Sequence, residues 1–507
     1  MKRFISTTLA AAAVLAIGVA ALTVATPMRQ ARWLAEYDAT RHYLATADAN
    51  FDWVVRKRNL NLPALDSTTR HRIETAWFVF GAMAATRDLV RQFDDGHTRA
   101  RIRPDLWWRG TPDDSDPATA EQAAGDMARE ATAPAAAPAL NAAMTAAKAC
   151  SMAGLDAGAR PDGWAIPFPE VARAELMDDP EFPAVLIPLR DGRKVAILRV
   201  ANFGHEHFGP TCERTWAQNR TSLRPPCTGD CLDGFEAAVI REVAARAAGV
   251  ARDLERRGAS AVVVDITGNG GGSELADAMA RALTARPLHL ASGGFIRHPL
   301  HVRAFTEMRA AIARDSARAT PAQHALIRRA ELRLDSLIAE ARLDCHRDTV
   351  WSGGTPACSN TVIAPPLVSY LPPGALAELP DGWVIWPAAW YGGEEGLFRG
   401  RLLVLQDRRS ASASEEFAAR LRDNDAARII GSTSYGAGCG HTNGGTTLEL
   451  PALGLRVSAP DCQRLRMDGR NETEGIAADV AAGWGDHDTP ADSARKAIAA
   501  IERAMAH

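Results

Sequence analysis

The chain has 507 residues, of which 47% are hydrophobic and 23% charged, with a net charge of −3 at pH 7. That length buries one large core or two domains, the composition is that of a globular protein, and the charge leaves no footprint for nucleic acid. Lysine occurs only at Lys2, Lys57, Lys148, Lys194 and Lys496, so primary amines for acid–base chemistry are scarce.

Residues 1–27 begin with Lys2 and Arg3, and the chain then runs without a charge from Phe4 to Met28. Thr23-Val24-Ala25 offers a small-residue cleavage site, which reads as a signal peptide. The uncharged run is longer than a usual signal core, so an uncleaved anchor over residues 4–26 stays open. Both readings place the protein in the periplasm or outside the cell, with membrane contact only in the anchored case. The 8 cysteines fit an oxidising compartment. Cys345 with Cys358 and Cys439 with Cys462 are near enough in sequence to pair. Cys212, Cys227 and Cys231 crowd one Pro/Gly-rich loop, leaving Cys150 for one of them. A zinc site on Cys227 and Cys231 lacks a second ligand pair, and neither metal nor cofactor is expected.

Residues 28–100 read as a helical N-terminal domain. Trp33, Leu34, Tyr37, Tyr43 and Leu44 recur near helical spacing, and a second helix is expected over Arg72–Phe93, with Ile73, Trp77, Phe80, Met83 and Ala84 on it. It ends in Asp94-Asp95-Gly96-His97-Thr98, a turn in which Gly96 can take the left-handed conformation. A lone turn histidine is ordinarily a solvated one. Residues 101–183 form an alanine-rich insertion or linker, with no GLGF-like loop of the PDZ kind.

Residues 184–487 read as the core. A hairpin joins Val185–Leu189 to Val195–Val200 through Asp191-Gly192. His205-Glu206-His207 has metal-ligand spacing but no clear third ligand, and reads as a loop. A helix over Phe235–Arg257 leads into the apolar strand Ala261–Ile266, the loop Gly268-Asn269-Gly270-Gly271-Gly272 and a helix from Ser273 to Leu283. Strand, glycine loop and helix outline a phosphate-binding turn, but no phosphate-loop motif is spelled. An insertion over about 295–398 carries a helical hairpin around Thr320-Pro321, which reads as a lid, a dimer arm or a solvated pair. Strand Leu402–Leu405, a serine-rich turn, a helix with Phe417, Ala418 and Leu421 inward, and strand Arg428–Ile430 come next. Ser412 stands at the strand-to-helix junction, where free N–H groups and the helix dipole favour an oxyanion-forming nucleophile. Ser412-Ala-Ser-Glu415 also spells a capping box, and the residues alone leave both roles open. Strands Thr446–Leu450 and Leu455–Ser458 follow, and Thr489 to Asp492 caps a C-terminal helix over 488–507.

Four of these segments resemble, in order, the tail-specific or C-terminal-processing serine peptidases, a family that includes the tricorn protease. They are DGHT, the glycine loop, SASASEEFAARLRDNDAARIIG with YGAG, and Glu472-Thr-Glu-Gly-Ile-Ala-Ala-Asp479. The resemblance implies a ClpP/crotonase-like α/β spiral core, an enzyme acting on protein or peptide, and Ser412 as nucleophile. It places an oxyanion hole at Gly270 or Gly271 together with Ala413. The tail-specific branch carries its basic lysine where Ala437 stands here, so the resemblance turns to the tricorn-like Ser-His-Glu branch, with His97 as base and Glu472 in support. Two further departures stand beside it: Gly96 where tricorn has serine, and Thr267 where relatives carry arginine. The alternative is a non-catalytic peptide-binding or structural relative of the same fold.

Overall fold

Side chains along three neighbouring strands alternate between two cores. Val262, Val264, Leu402, Val404 and Ile429 join one, and Ala261, Val263, Leu403, Leu405 and Ile430 the other. Every second residue points to the same face of a strand, so apolar runs such as Ala261–Val264 specify a sheet covered on both sides. The computed structural model is a mixed α/β protein and describes residues 29–107, 140, 143–155, 163–171, 174–221, 227, 229–442 and 445–506. The expectations for residues 1–27 and for most of the alanine-rich insertion lie outside these.

The central sheet has seven strands in the order Val480–Ala481, Arg428–Gly431, Leu402–Gln406, Ala259–Asp265, Lys194–Arg199, Ala184–Pro188, Glu175–Met177. The first five are parallel and the last two are added antiparallel. One face is covered by helices Asp230–Arg256 and Leu275–Ala282, the other by the C-terminal helix Pro490–Ala506 through Ala494, Ala497, Ala500 and Ile501. Because the strands are parallel, their carboxyl ends open on one side, where the connecting loops of such sheets form sites.

A third core joins the N-terminal helices to a small antiparallel sheet made of Arg99–Ile102, Leu455–Ala459 and Thr446–Leu450. The chain after the DGHT turn is thereby stitched into the C-terminal half. The helix expected over Arg72–Phe93 is broken. Leu62–Glu74 ends at Thr75, and Val79–Arg91 starts anew from Phe78, whose extended backbone is that of an N-cap. Trp77 and Phe80 therefore face solvent instead of the core. Pro299–Arg314 and Pro321–Ala341 pack as the helical hairpin, with Thr320 and Gln323 closing a capping box at the turn. Four disulfides join Cys150–Cys212, Cys227–Cys231, Cys345–Cys358 and Cys439–Cys462. Among the described residues no helix is long and apolar enough to cross a membrane.

Candidate active site

Three serines alternate with alanine in Ser410-Ala411-Ser412-Ala413-Ser414, and the fold separates their roles. Ser410 and Ser414 are buried and donate their hydroxyls to Ile266 O and Asn269 O, each at 2.8 Å. Both bonds, with Ala411 N–H to Asn269 O at 3.0 Å, clamp the serine turn to the glycine loop. Ser412 between them is half-buried and sits at φ +57°, ψ −118°, at the entry to helix Ala413–Asp423. A side chain at that φ costs on the order of 1–3 kcal/mol, and such strain collects at functional positions. Gly271 backs directly onto it: a Cβ there would lie 2.8 Å from Ser412 Cβ and 3.0 Å from Ala413 N, at a φ of +112°. Only glycine lets the two loops meet.

Glu415 does far more than cap. Its buried carboxylate accepts Ser412 N–H at 3.0 Å, as a capping box requires, and also Ala437 N–H at 2.8 Å and Gly438 N–H at 3.1 Å on the same oxygen. The other oxygen accepts Gly436 N–H at 2.6 Å and the Ser434 hydroxyl at 2.5 Å. One side chain thus ties the Tyr435–Gly438 loop to the serine turn with charge-assisted bonds.

His97 is presented by the turn after helix Val79–Arg91. Asp95 accepts the N–H groups of His97 and Thr98, each at 3.0 Å, which fixes the turn. His97 Nδ1 lies 3.2 Å from Ala437 O. A carbonyl only accepts, so Nδ1 carries the proton and Nε2 of the neutral ring is the acceptor. Burial disfavours the imidazolium and holds His97 below its ordinary value; Arg464 and His441 push the same way, while Asp95 and the Ala437 carbonyl oppose. The position where relatives carry lysine therefore reaches the histidine through its backbone. The space beside Gly96 is filled, because a Cβ would meet the Tyr435 ring at 2.9 Å and Ala437 Cβ at 3.0 Å. No serine fits there.

Glu472 is buried and reaches the serine turn through an arginine. Arg464 Nε lies 2.6 Å from its carboxylate, and Arg464 Nη2 donates to Ser412 O and Gly438 O, both at 2.8 Å. Burial pushes Glu472 up to about 7, against the pull of Arg464. The neighbouring Asn471 donates to Asn50, which donates to Asp95 at 2.8 Å, so the Glu472 segment and the histidine turn share one hydrogen-bonded line. Among the described residues no hydrogen bond joins the Ser412 hydroxyl to His97.

Of the two loop glycines, Gly271 has its N–H on Asn269 Oδ1 at 2.9 Å, whereas Gly270 N–H has no acceptor among the described residues. Ala413 opens its helix, and the N–H there precedes the intrahelical ladder. The loop lacks arginine at Thr267, yet it is held by one: Arg199, from the adjoining strand, donates to Thr267 O at 2.7 Å and Asp265 O at 3.2 Å. Lys57 reaches the same loop region by way of Thr473. Its ammonium donates to Thr473 O, and that oxygen lies 2.6 Å from where a Gly436 Cβ would stand. It serves the far side of the loop. His205 of the H-x-H pair is taken by Glu236 at 2.9 Å and Ser273 at 3.0 Å.

Residues 374–482 match the model of peptidase family S41. That segment contains the serine turn, Glu415, the Tyr435–Gly438 loop, Arg464 and Glu472, and leaves His97 outside it. A structure of mature CPAF complexed with lactacystin superposes with a TM-score of 0.52 at 14% identity, covering 94% of this chain and 99% of that chain. A second structure of mature CPAF gives 0.52 at 14% identity, over 94% and 98%. The likeness at this identity is one of fold. No curated protein matches the sequence.

Proposed function

We propose that this protein is an exported serine peptidase of the tail-specific kind, built on a ClpP/crotonase-like core, and that it uses Ser412, His97 and Glu472. His97 Nε2 takes the proton from Ser412 Oγ as the oxygen bonds to the substrate carbonyl carbon. The oxyanion is received by the N–H groups of Gly270 and Ala413. His97 returns the proton to the departing amine, and water then releases the acyl group. Glu472 acts through Arg464, which grips the carbonyls of Ser412 and Gly438. The observation that carries this reading is the strained, half-exposed Ser412 between two serines whose hydroxyls are spent on the glycine loop. Loose serine–histidine contacts are common before substrate binds.

The second reading, a peptide-binding relative without activity, draws on the missing Ser412–His97 hydrogen bond. Fluorophosphonate labelling separates the two. Catalysis predicts a single adduct on Ser412, and both Ser412→Ala and His97→Ala folded but slowed by at least ~10² in peptide turnover. Wild-type protein that takes no label and shows no turnover overturns the proposal. So does a His97→Ala variant within about threefold of wild type, against the general-base expectation.

A further inference from the structure

The amino ends of the same parallel strands border a second concavity, on the side of the sheet opposite Ser412. It holds about 640 Å³ and is lined by the starts of strands Leu402–Gln406 and Arg428–Gly431, the last turn of helix Ala413–Asp423 with the turn after it, and the segments around Arg286 and Arg399. Five arginines face it, Arg286, Arg399, Arg401, Arg422 and Arg428, against two carboxylates, Asp425 and Asp479. The lining carries 5 − 2 = +3 in a chain of net charge −3.

Internal pairing accounts for one of the five. Arg422 binds Asp479 at 2.8 Å, and that carboxylate is further occupied by Ile429 N–H at 2.8 Å. Arg401 and Arg428 lean on the last carbonyls of the C-terminal helix, Arg401 Nη2 on Ala504 O at 2.8 Å and Arg428 Nη1 on the same oxygen at 3.4 Å. Each guanidinium has five N–H donors, so these bonds leave donors over. Arg399 uses only Nε, on Gly396 O at 3.2 Å. The Arg286 guanidinium has no acceptor among the described residues. Four permanently charged forks thus border one cavity without a carboxylate partner. A concave surface of one sign concentrates counter-charge, and guanidinium forks match phosphate oxygens two at a time. The volume suits a small ligand, and the excess of guanidinium groups in the lining favours an anionic one.

From this cavity we infer a binding site for a multiply charged phosphate compound, distinct from the peptidase site. The test is calorimetric titration of the whole protein with pyrophosphate at constant ionic strength. Saturable binding to one site with Kd below about 1 mM is expected. Arg286→Gln/Arg399→Gln, both at exposed positions, should weaken it at least tenfold while leaving peptide turnover unchanged. Anionic phosphatidylglycerol vesicles that displace pyrophosphate, where phosphatidylcholine vesicles do not, assign the phosphate to a lipid headgroup. Absence of displacement assigns it to a soluble compound, and both results keep the site. Heat that never saturates, or equal affinity in wild type and the double variant, overturns the inference.

Discussion

Glu415→Gln changes one atom and tests whether the site is organised around that carboxylate. Glu415 accepts five donors, three on Oε2 (Ser412, Ala437 and Gly438 N–H) and two on Oε1 (Gly436 N–H and the Ser434 hydroxyl). The amide NH₂ does least harm at the Oε1 position. There the Ser434 hydroxyl can turn to accept, but the Gly436 N–H cannot, and it is left buried without a partner. A stranded donor costs about 1–3 kcal/mol. The three bonds kept on the other oxygen fall from charge-assisted to neutral strength, about 1 kcal/mol each or less. The sum is roughly 1–6 kcal/mol, set against the ~5–15 kcal/mol of a typical fold. Because Ala437 O holds the imidazole, turnover should also fall, by about tenfold or more. Equilibrium denaturation beside peptide hydrolysis measures both. A loss under about 1 kcal/mol with full turnover would show that the carboxylate is only a helix cap, and the account of the loop would be wrong.

Two more outcomes follow from the same geometry. Since burial favours neutral His97, the proposed base, kcat/KM should rise with pH through an ionisation below the ordinary histidine value of about 6.5 that is lost in His97→Ala, apart from any limb from Glu472 near 7; a profile whose lone limb is centred above 7 contradicts that. Cys439→Ser/Cys462→Ser opens a disulfide loop of 23 residues beside Gly438 and Arg464, which should cost about 3 kcal/mol by chain entropy. An unchanged denaturation midpoint would refute it.

What could be read from the chain alone was whatever is local. Ala261–Ile266 is a nearly all-apolar run of the buried parallel type, Leu402–Leu405 and Arg428–Ile430 read as further strands, and the order strand, loop, helix set the glycine loop and Ser412 each just after a strand. The two disulfides closing short loops, Cys345–Cys358 and Cys439–Cys462, were legible for the same reason. Cys150–Cys212 spans 62 residues, and its choice among three partners depends on how helix Gly209–Asn219 packs. Glu415 was legible as half of a capping box, which explains one of its five bonds; the other four come from residues 19 to 23 positions away. Arg464 and Arg199 carried no signal, because arginine is common here and nothing in the sequence ties them to the carbonyls of Ser412, Gly438 and Thr267 that they hold. The break at 75–78 defeated the helical periodicity because Trp77 and Phe80 keep the spacing of a buried face while standing in solvent.

Glu472 stands at one end of a line of ion pairs that runs well beyond the serine turn. From Glu472 the contacts run to Arg464 at 2.6 Å, Glu416 at 3.5 Å, Arg420 at 2.9 Å, Asp277 at 3.2 Å, Arg281 at 2.9 Å and Glu395 at 2.9 Å. Signs alternate at every step, and the line leads from the serine turn into the aromatic segment, where Trp386 covers the Arg281 guanidinium at 4.7 Å. Burial would raise Asp277, but Arg281 and Arg420 outweigh it and hold the carboxyl well below its usual range. Removing one member of a buried pair strands the other charge at about 3–5 kcal/mol, whereas replacing both with apolar groups is often neutral. Arg464 therefore cannot be lost singly without disturbing Glu416 and Glu472 together, and the same holds at Arg420 and Arg281. A chain of this kind makes the serine turn and the insertion over 295–398 one electrostatic unit. Each of the five inner charges is fixed by two neighbours of opposite sign, so neither helix Leu275–Ala282 nor helix Ala413–Asp423 can shift without leaving a buried charge unmatched.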